Sequence, residues 1–121
     1  MKELTKVFKA LSDETRLRTL GVLMEKECCV CEVMQALEIS QSKASRALGA
    51  LYDAGVLKLR KEGRWSLYSI DREGMDSQVA SIIEAATRAL KDNPDAVRDW
   101  ERLKKAERMG PGCGYEGRCA A

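Results

Sequence analysis

The chain has 121 residues, 45% hydrophobic and 33% charged, which predicts one folded domain with or without a tail and excludes a disordered chain. No apolar run nears the roughly 18 residues that span a bilayer, and Met1-Lys2-Glu3-Leu4-Thr5-Lys6 lacks the apolar core of a signal peptide, so membrane insertion and export are not expected and the cytoplasm is. Net charge is only +2, but Ser40 to Ser66 holds six basic residues against two acids, a basic middle that suits a polyanion partner.

Leu4, Val7, Phe8 and Leu11 fall on one helical stripe. Ser12-Asp13-Glu14 breaks it and supplies a cap for a second helix, about Glu14 to Glu25, with Leu17, Leu20 and Met24 on one face. Val30, Val33, Met34 and Leu37 give a short third helix. After Glu38-Ile39, Ser40 caps a fourth, whose buried face is Ala44, Ala47, Leu48 and Leu51 and whose stop is Gly55. Val56 to Lys61 and Trp65 to Ile70 read as strands around Glu62-Gly63-Arg64. Val79, Ile82, Ile83, Ala86 and Leu90 restore the helical period. Asn93-Pro94 starts a last, highly charged helix anchored by Trp100 and Leu103. Gly110-Pro111-Gly112-Cys113-Gly114 ends it and opens a mobile tail. The predicted division is 1–91, 92–109 and 110–121.

Two short amphipathic helices joined by a tight turn have the layout of a helix-turn-helix, whose second helix enters the major groove. The exposed start of helix four offers Ser40, Gln41, Ser42, Lys43, Ser45 and Arg46. Amide and guanidinium groups read base edges, while hydroxyls and lysine hold phosphates. The hairpin that follows carries Lys58, Arg60, Lys61 and Arg64, a basic wing. Such side chains are often only a solvated face; the adjoining basic hairpin and local charge excess favour DNA. None of the six aromatic residues lies among these basic residues, which disfavours single-strand binding by stacking.

Leu11-Ser12-Asp13-Glu14-Thr15-Arg16-Leu17-Arg18-Thr19-Leu20 resembles the helix-two signature of the ArsR/SmtB repressors. Ser40 to Leu48 resembles their recognition helix, and Leu51 to Leu57 followed by Arg64 to Ile70 their helix end and wing. The likeness covers about residues 4 to 91, with several motifs in order. It implies a mainly α winged helix-turn-helix in the order ααααββα plus a C-terminal helix. It also implies a homodimer formed through helices one and five, bound to an inverted-repeat operator in double-stranded DNA. By the same resemblance Gln41, Ser42, Ser45 and Arg46 face the DNA; many members have histidine where Arg46 stands. The family's helix-five zinc site normally uses histidine, and this chain has none, so that site is expected to be absent.

The five cysteines are Cys28, Cys29, Cys31, Cys113 and Cys119. An odd number without an export signal argues for thiol or metal chemistry over a disulfide framework. Arsenic-sensing members of the family carry a Cys-Val-Cys that Cys29-Val30-Cys31 matches. Met34 stands where some have a third cysteine, and Cys28 offers the missing thiolate. Soft thiolates select soft ions; As(III) or Sb(III) needs no more than three, whereas zinc usually takes four ligands. A helix N-terminus also lowers thiol pKa.

Buried free cysteine is common, but a regular helix would place Cys28 opposite the apolar stripe and Cys29 and Cys31 on its flanks. In such a helix Cys29 and Cys31 point far apart. Either residues 28 and 29 precede the helix, or capture unwinds its first turn; the second is the expectation. Cys113 and Cys119 offer a second thiol pair or a donated ligand. The resulting reading is a repressor released from DNA by As(III) or Sb(III), with no catalytic residue and no organic cofactor. The alternatives are a redox or persulfide switch and a cadmium or lead sensor. A thiol enzyme is disfavoured, because no βαβ pattern surrounds Cys28 to Cys31.

Overall fold

The computed structural model describes residues 1–108; Cys113 and Cys119 and the predicted 110–121 tail lie outside the described residues. Six helices and one hairpin follow in the predicted order: α1 Lys2–Leu11, α2 Glu14–Glu25, α3 Val30–Leu37, α4 Gln41–Asp53, β1 Leu57–Glu62, β2 Trp65–Ile70, α5 Ser77–Leu90 and α6 Pro94–Lys105.

Side-chain caps start most of the helices by satisfying amides that lack an intrahelical partner. The Asp13 carboxylate accepts from the Arg16 amide at 3.0 Å, Ser40 Oγ from the Lys43 amide at 3.2 Å, and Asn93 Oδ1 from the Asp95 amide at 2.9 Å. Gly55 ends α4 with φ +82°, and the Val56 amide returns to the Leu51 carbonyl at 3.1 Å. α3 closes in the same way: the Ile39 amide reaches the Met34 carbonyl at 3.2 Å. There the left-handed residue is Glu38, φ 56°, at a cost of about 1–2 kcal/mol.

The strands pair antiparallel from Leu57↔Ile70 to Glu62↔Trp65. The turn is the two residues Gly63-Arg64, not three, so Glu62 joins β1. Gly63, at φ +60°, supplies the positive φ that such a turn needs at its first central position.

α2 is the central helix. Thr19 to Leu23 are all buried, because α3, α4, α6 and β2 pack around it; the predicted Leu17/Leu20/Met24 stripe is only part of its contact. On α1, Val7 and Ala10 are buried while Phe8 is 53% exposed. α6 lies across α2 and α3. It buries Ala96, Asp99 and Leu103, and the Trp100 indole donates to the Gly21 carbonyl at 2.7 Å. The buried Asp99 carboxylate receives Arg18 and Arg102, each at 2.7 Å. The same two guanidiniums donate to the Leu37 and Ala36 carbonyls at 3.2 and 2.7 Å. One buried carboxylate therefore holds two cations on the otherwise unpaired C-terminal carbonyls of α3. No helix among the described residues is long and apolar enough to cross a membrane.

Candidate nucleic-acid interface and thiol site

α4 turns Ala44, Ala47, Leu48 and Leu51 into the core. That fixes its opposite face, where Ser40, Ser42, Lys43 and Arg46 are exposed and Gln41 and Ser45 half-exposed. Gln41 Nε2 donates to Ser45 Oγ at 3.0 Å. The Lys43 and Arg46 side chains are spoken for by no acid among the described residues. Together with Asp13, Thr15 and Arg16 they line a polar cleft of about 290 Å³ between α4 and the start of α2. On the wing, Lys61 and Arg64 are likewise exposed. Arg60 is not available in the same way: it is ion-paired with Glu27 and Glu62, which draws it toward the cysteine segment.

The cysteines lie where the sequence reading did not put them. Cys28, Cys29 and Cys31 are 0%, 1% and 0% exposed and belong to the hydrophobic core. The helix starts at Val30, so Cys28 and Cys29 precede it, and the helical angles that set them outside do not apply. Cys28 is extended and pairs through its backbone with Tyr68 of β2: N–H to O at 3.0 Å, and Tyr68 N–H to Cys28 O at 2.8 Å. Cys29 is the N-cap of α3, also extended. Cys31 is in the first turn and is covered because α6 packs on α3. The expectation that the first helical turn must unwind for Cys29 and Cys31 to share an ion is thereby corrected: Cys28 and Cys29 lie before the helix already.

At Cys28 and Cys29 the predicted lowering of thiol pKa is also reversed. Burial pushes the Cys28 thiol well above its ordinary range. Burial likewise pushes Cys29 up to about 11, even though its sulfur faces the Glu32 and Cys31 amides. Desolvation of the charged form outweighs the helix terminus.

Below the sulfurs is a carboxylate that the sequence reading missed. Glu32 is 1% exposed. Its Oε1 accepts from the Cys29 amide at 3.0 Å and from Arg108 Nε at 2.9 Å, and its Oε2 pairs with Lys26 Nζ at 2.7 Å. Burial works against its charge, but Lys26, Arg108 and the Cys29 amide together hold its pKa below the ordinary value. The Cys29-x-x-Glu32 spacing is that of a capping box and was the available signal. Gln35, whose Nε2 donates to Cys31 Sγ at 3.4 Å, and Arg108 carry no local signal.

Chemically, the donor set suits a soft trivalent ion: three sulfurs within four residues. Among the described residues, however, no group of three or more His, Cys, Asp or Glu side chains is arranged to hold a metal ion. As they stand, the three sulfurs do not form such a group.

Residues 13–58 match the model of the bacterial regulatory protein family arsR. The chain is similar to the arsenic resistance transcriptional regulator ArsR1 of Pseudomonas putida, 43% identical over 76% of this chain and 73% of that one. It is also similar to the cadmium resistance transcriptional regulatory protein CadC homolog of Staphylococcus aureus, 44% identical over 69% and 67%. Among solved structures it resembles the homodimeric winged helix-turn-helix DNA-binding domain Mb0332 of Mycobacterium bovis. That likeness has a TM-score of 0.62 and 26% identity, over 77% of this chain and 82% of that one.

Proposed function

The chain belongs to the arsR family of bacterial regulatory proteins, and from that premise we propose that it is a cytoplasmic repressor that leaves its operator when Cys28, Cys29 and Cys31 capture As(III) or Sb(III). It acts by binding and catalyses no reaction. The operator is an inverted repeat in double-stranded DNA, read by a homodimer. Ser42, Lys43, Ser45 and Arg46, with Gln41 and the Ser40 cap, enter the major groove, and Lys61 and Arg64 of the wing hold phosphates. The exposed Phe8 on α1 and the half-buried Val79, Ile82 and Ala86 on α5 supply the apolar face that a second subunit covers.

One observation carries the reading: the cysteine segment is the backbone junction between the two DNA-facing parts. Cys28 is paired with β2 of the wing, and Cys29 caps α3, which leads through Glu38 and Ile39 into α4. The sulfurs do not converge as they stand, so capture pulls on both parts at once. A tenfold loss of DNA affinity needs only about 1.4 kcal/mol of difference between the two states.

Arsenite suits these thiols better than cadmium does. In arsenious acid each As–OH leaves as water with a thiol proton while an As–S bond forms; three thiols give three waters and no change of oxidation state. Cys28 and Cys29, whose protonated forms burial favours, therefore need not ionise first, whereas a divalent cation must displace their protons. The likeness to a cadmium resistance regulator makes a cadmium sensor the second reading.

The test is release of an operator duplex, selected from random sequence, by arsenite, antimonite, cadmium and polysulfide, using the reduced chain and Cys→Ser at each of the five cysteines. Arsenite and antimonite are expected to release the parent. Cys29→Ser and Cys31→Ser should keep DNA binding and lose release. Release by cadmium or polysulfide alone would replace the reading with one of its alternatives.

A further inference from the structure

After α6 the chain turns extended at Ala106 and runs back over the cysteine segment. Glu107 and Gln35 exchange two hydrogen bonds, Gln35 Nε2 to the Glu107 carbonyl at 2.7 Å and the Glu107 amide to Gln35 Oε1 at 3.1 Å. The same Gln35 amide group donates to Cys31 Sγ and to the Cys31 carbonyl at 3.4 and 3.1 Å. Arg108 Nε meets the Glu32 oxygen that also accepts from the Cys29 amide. Its Nη2 reaches the Glu27 carbonyl, one residue before Cys28, at 3.4 Å. Its guanidinium lies 6.0 Å from the centre of the Trp65 ring, within reach of a cation–π contact. Two consecutive residues, Glu107 and Arg108, thus touch the surroundings of all three buried cysteines.

The two ends of this stretch are held very differently. α6 is anchored by Ala96, Asp99 and Leu103, all buried. Ala106 is half-buried, Glu107 is exposed and Arg108 keeps a quarter of its side chain in solvent. Contacts made by partly exposed polar groups compete with water, so such a segment opens locally at far lower free energy than a buried helix.

We propose that Ala106–Arg108 is a gate over Cys28, Cys29 and Cys31, latched by Arg108 on Glu32 and by Glu107 on Gln35, whose opening sets how fast a thiol reagent or inducer reaches the sulfurs. The gate swings at the end of α6; it touches the wing only through the partly exposed Arg108 beside Trp65 and Glu62, while the β1–β2 pairing and α4 stay as they are, so it controls access and not DNA affinity. Its role in induction rests on the function proposed above; its control of thiol access does not.

The experiment uses the full chain with Cys113→Ser and Cys119→Ser, so that only the three gated thiols report. The reduced protein reacts with an excess of an aromatic disulfide that releases a coloured thiolate. Arg108→Ala is expected to speed the reaction at least tenfold, Gln35→Ala to speed it as well, and Arg108→Lys to fall between parent and Arg108→Ala. Operator affinity of reduced Arg108→Ala stays that of the parent. Trp100→Phe removes the indole bond to Gly21 under α6 and serves as the control for lost stability. It should lower the melting temperature without speeding the thiols. An unchanged rate in Arg108→Ala, or equal acceleration by Trp100→Phe, overturns the gate. Neither arsenic nor DNA enters the thiol-rate measurement, so a chain that ignores arsenite could still show the gate, and a chain without the gate could still respond to arsenite.

Discussion

At the scale of single residues, the sulfurs and the carboxylate beneath them act as one unit. A Glu32 pKa held below its ordinary value means that the folded state favours the carboxylate. That stabilisation is complete above the ordinary carboxylate range and is lost as pH falls through the folded value. Urea midpoints measured across the acid range should therefore drop with pH in the parent and drop less steeply in Glu32→Gln. Arg46 sits on the exposed face of α4 without an acid partner among the described residues, free to meet a base edge. Arg46→Ala should weaken specific binding by roughly 1–3 kcal/mol, read by competition against random duplex; normal operator affinity would move the recognition face elsewhere. The outward-facing residues of α4 were legible in the sequence because α4 is a plain amphipathic helix, whose buried alanines and leucines dictate the outward set. The cysteine environment was not. The Gln35 side chain on Cys31 is held by Glu107, far along the chain, and Cys28 is in a backbone pair with Tyr68 of the wing.

At the scale of elements, α3 is held at both ends. Its start is tied to the wing through Cys28 and Tyr68, and its end is held through Arg18, Arg102 and buried Asp99. Capture as proposed would pull at the start of α3 against this held end, so the displacement goes first into the wing that is paired with Cys28. Removing Asp99 leaves two cations without their carboxylate, though both retain some exposure. Asp99→Ala should cost about 2–4 kcal/mol of stability, visible as a lowered denaturant midpoint; a loss below about 0.5 kcal/mol would mean that the cluster does not hold α6. Boundaries of α2 and β2 followed from caps, period and turn residues, all local signals, whereas the start of α3 did not, because the cysteine run read as part of the helix. The packing of α6 did not: Trp100 and Leu103 marked its apolar side, but nothing near Asp99 in sequence announces a buried charge whose partner is Arg18.

At the scale of the whole molecule, the proposed two-fold reader of DNA has its cysteines where α3 and the wing meet. Phe8 and the half-buried face of α5 predict self-association. Phe8→Glu should shift the chain toward monomer in sedimentation and weaken operator binding together with it, since one half-site supplies only part of the contact. The central claim is tested most directly by anisotropy of a labelled operator duplex titrated with the fully reduced chain, with and without saturating arsenite. The account predicts specific binding that arsenite weakens at least tenfold, and no weakening in Cys29→Ser. The same affinity in both titrations of the parent would contradict it.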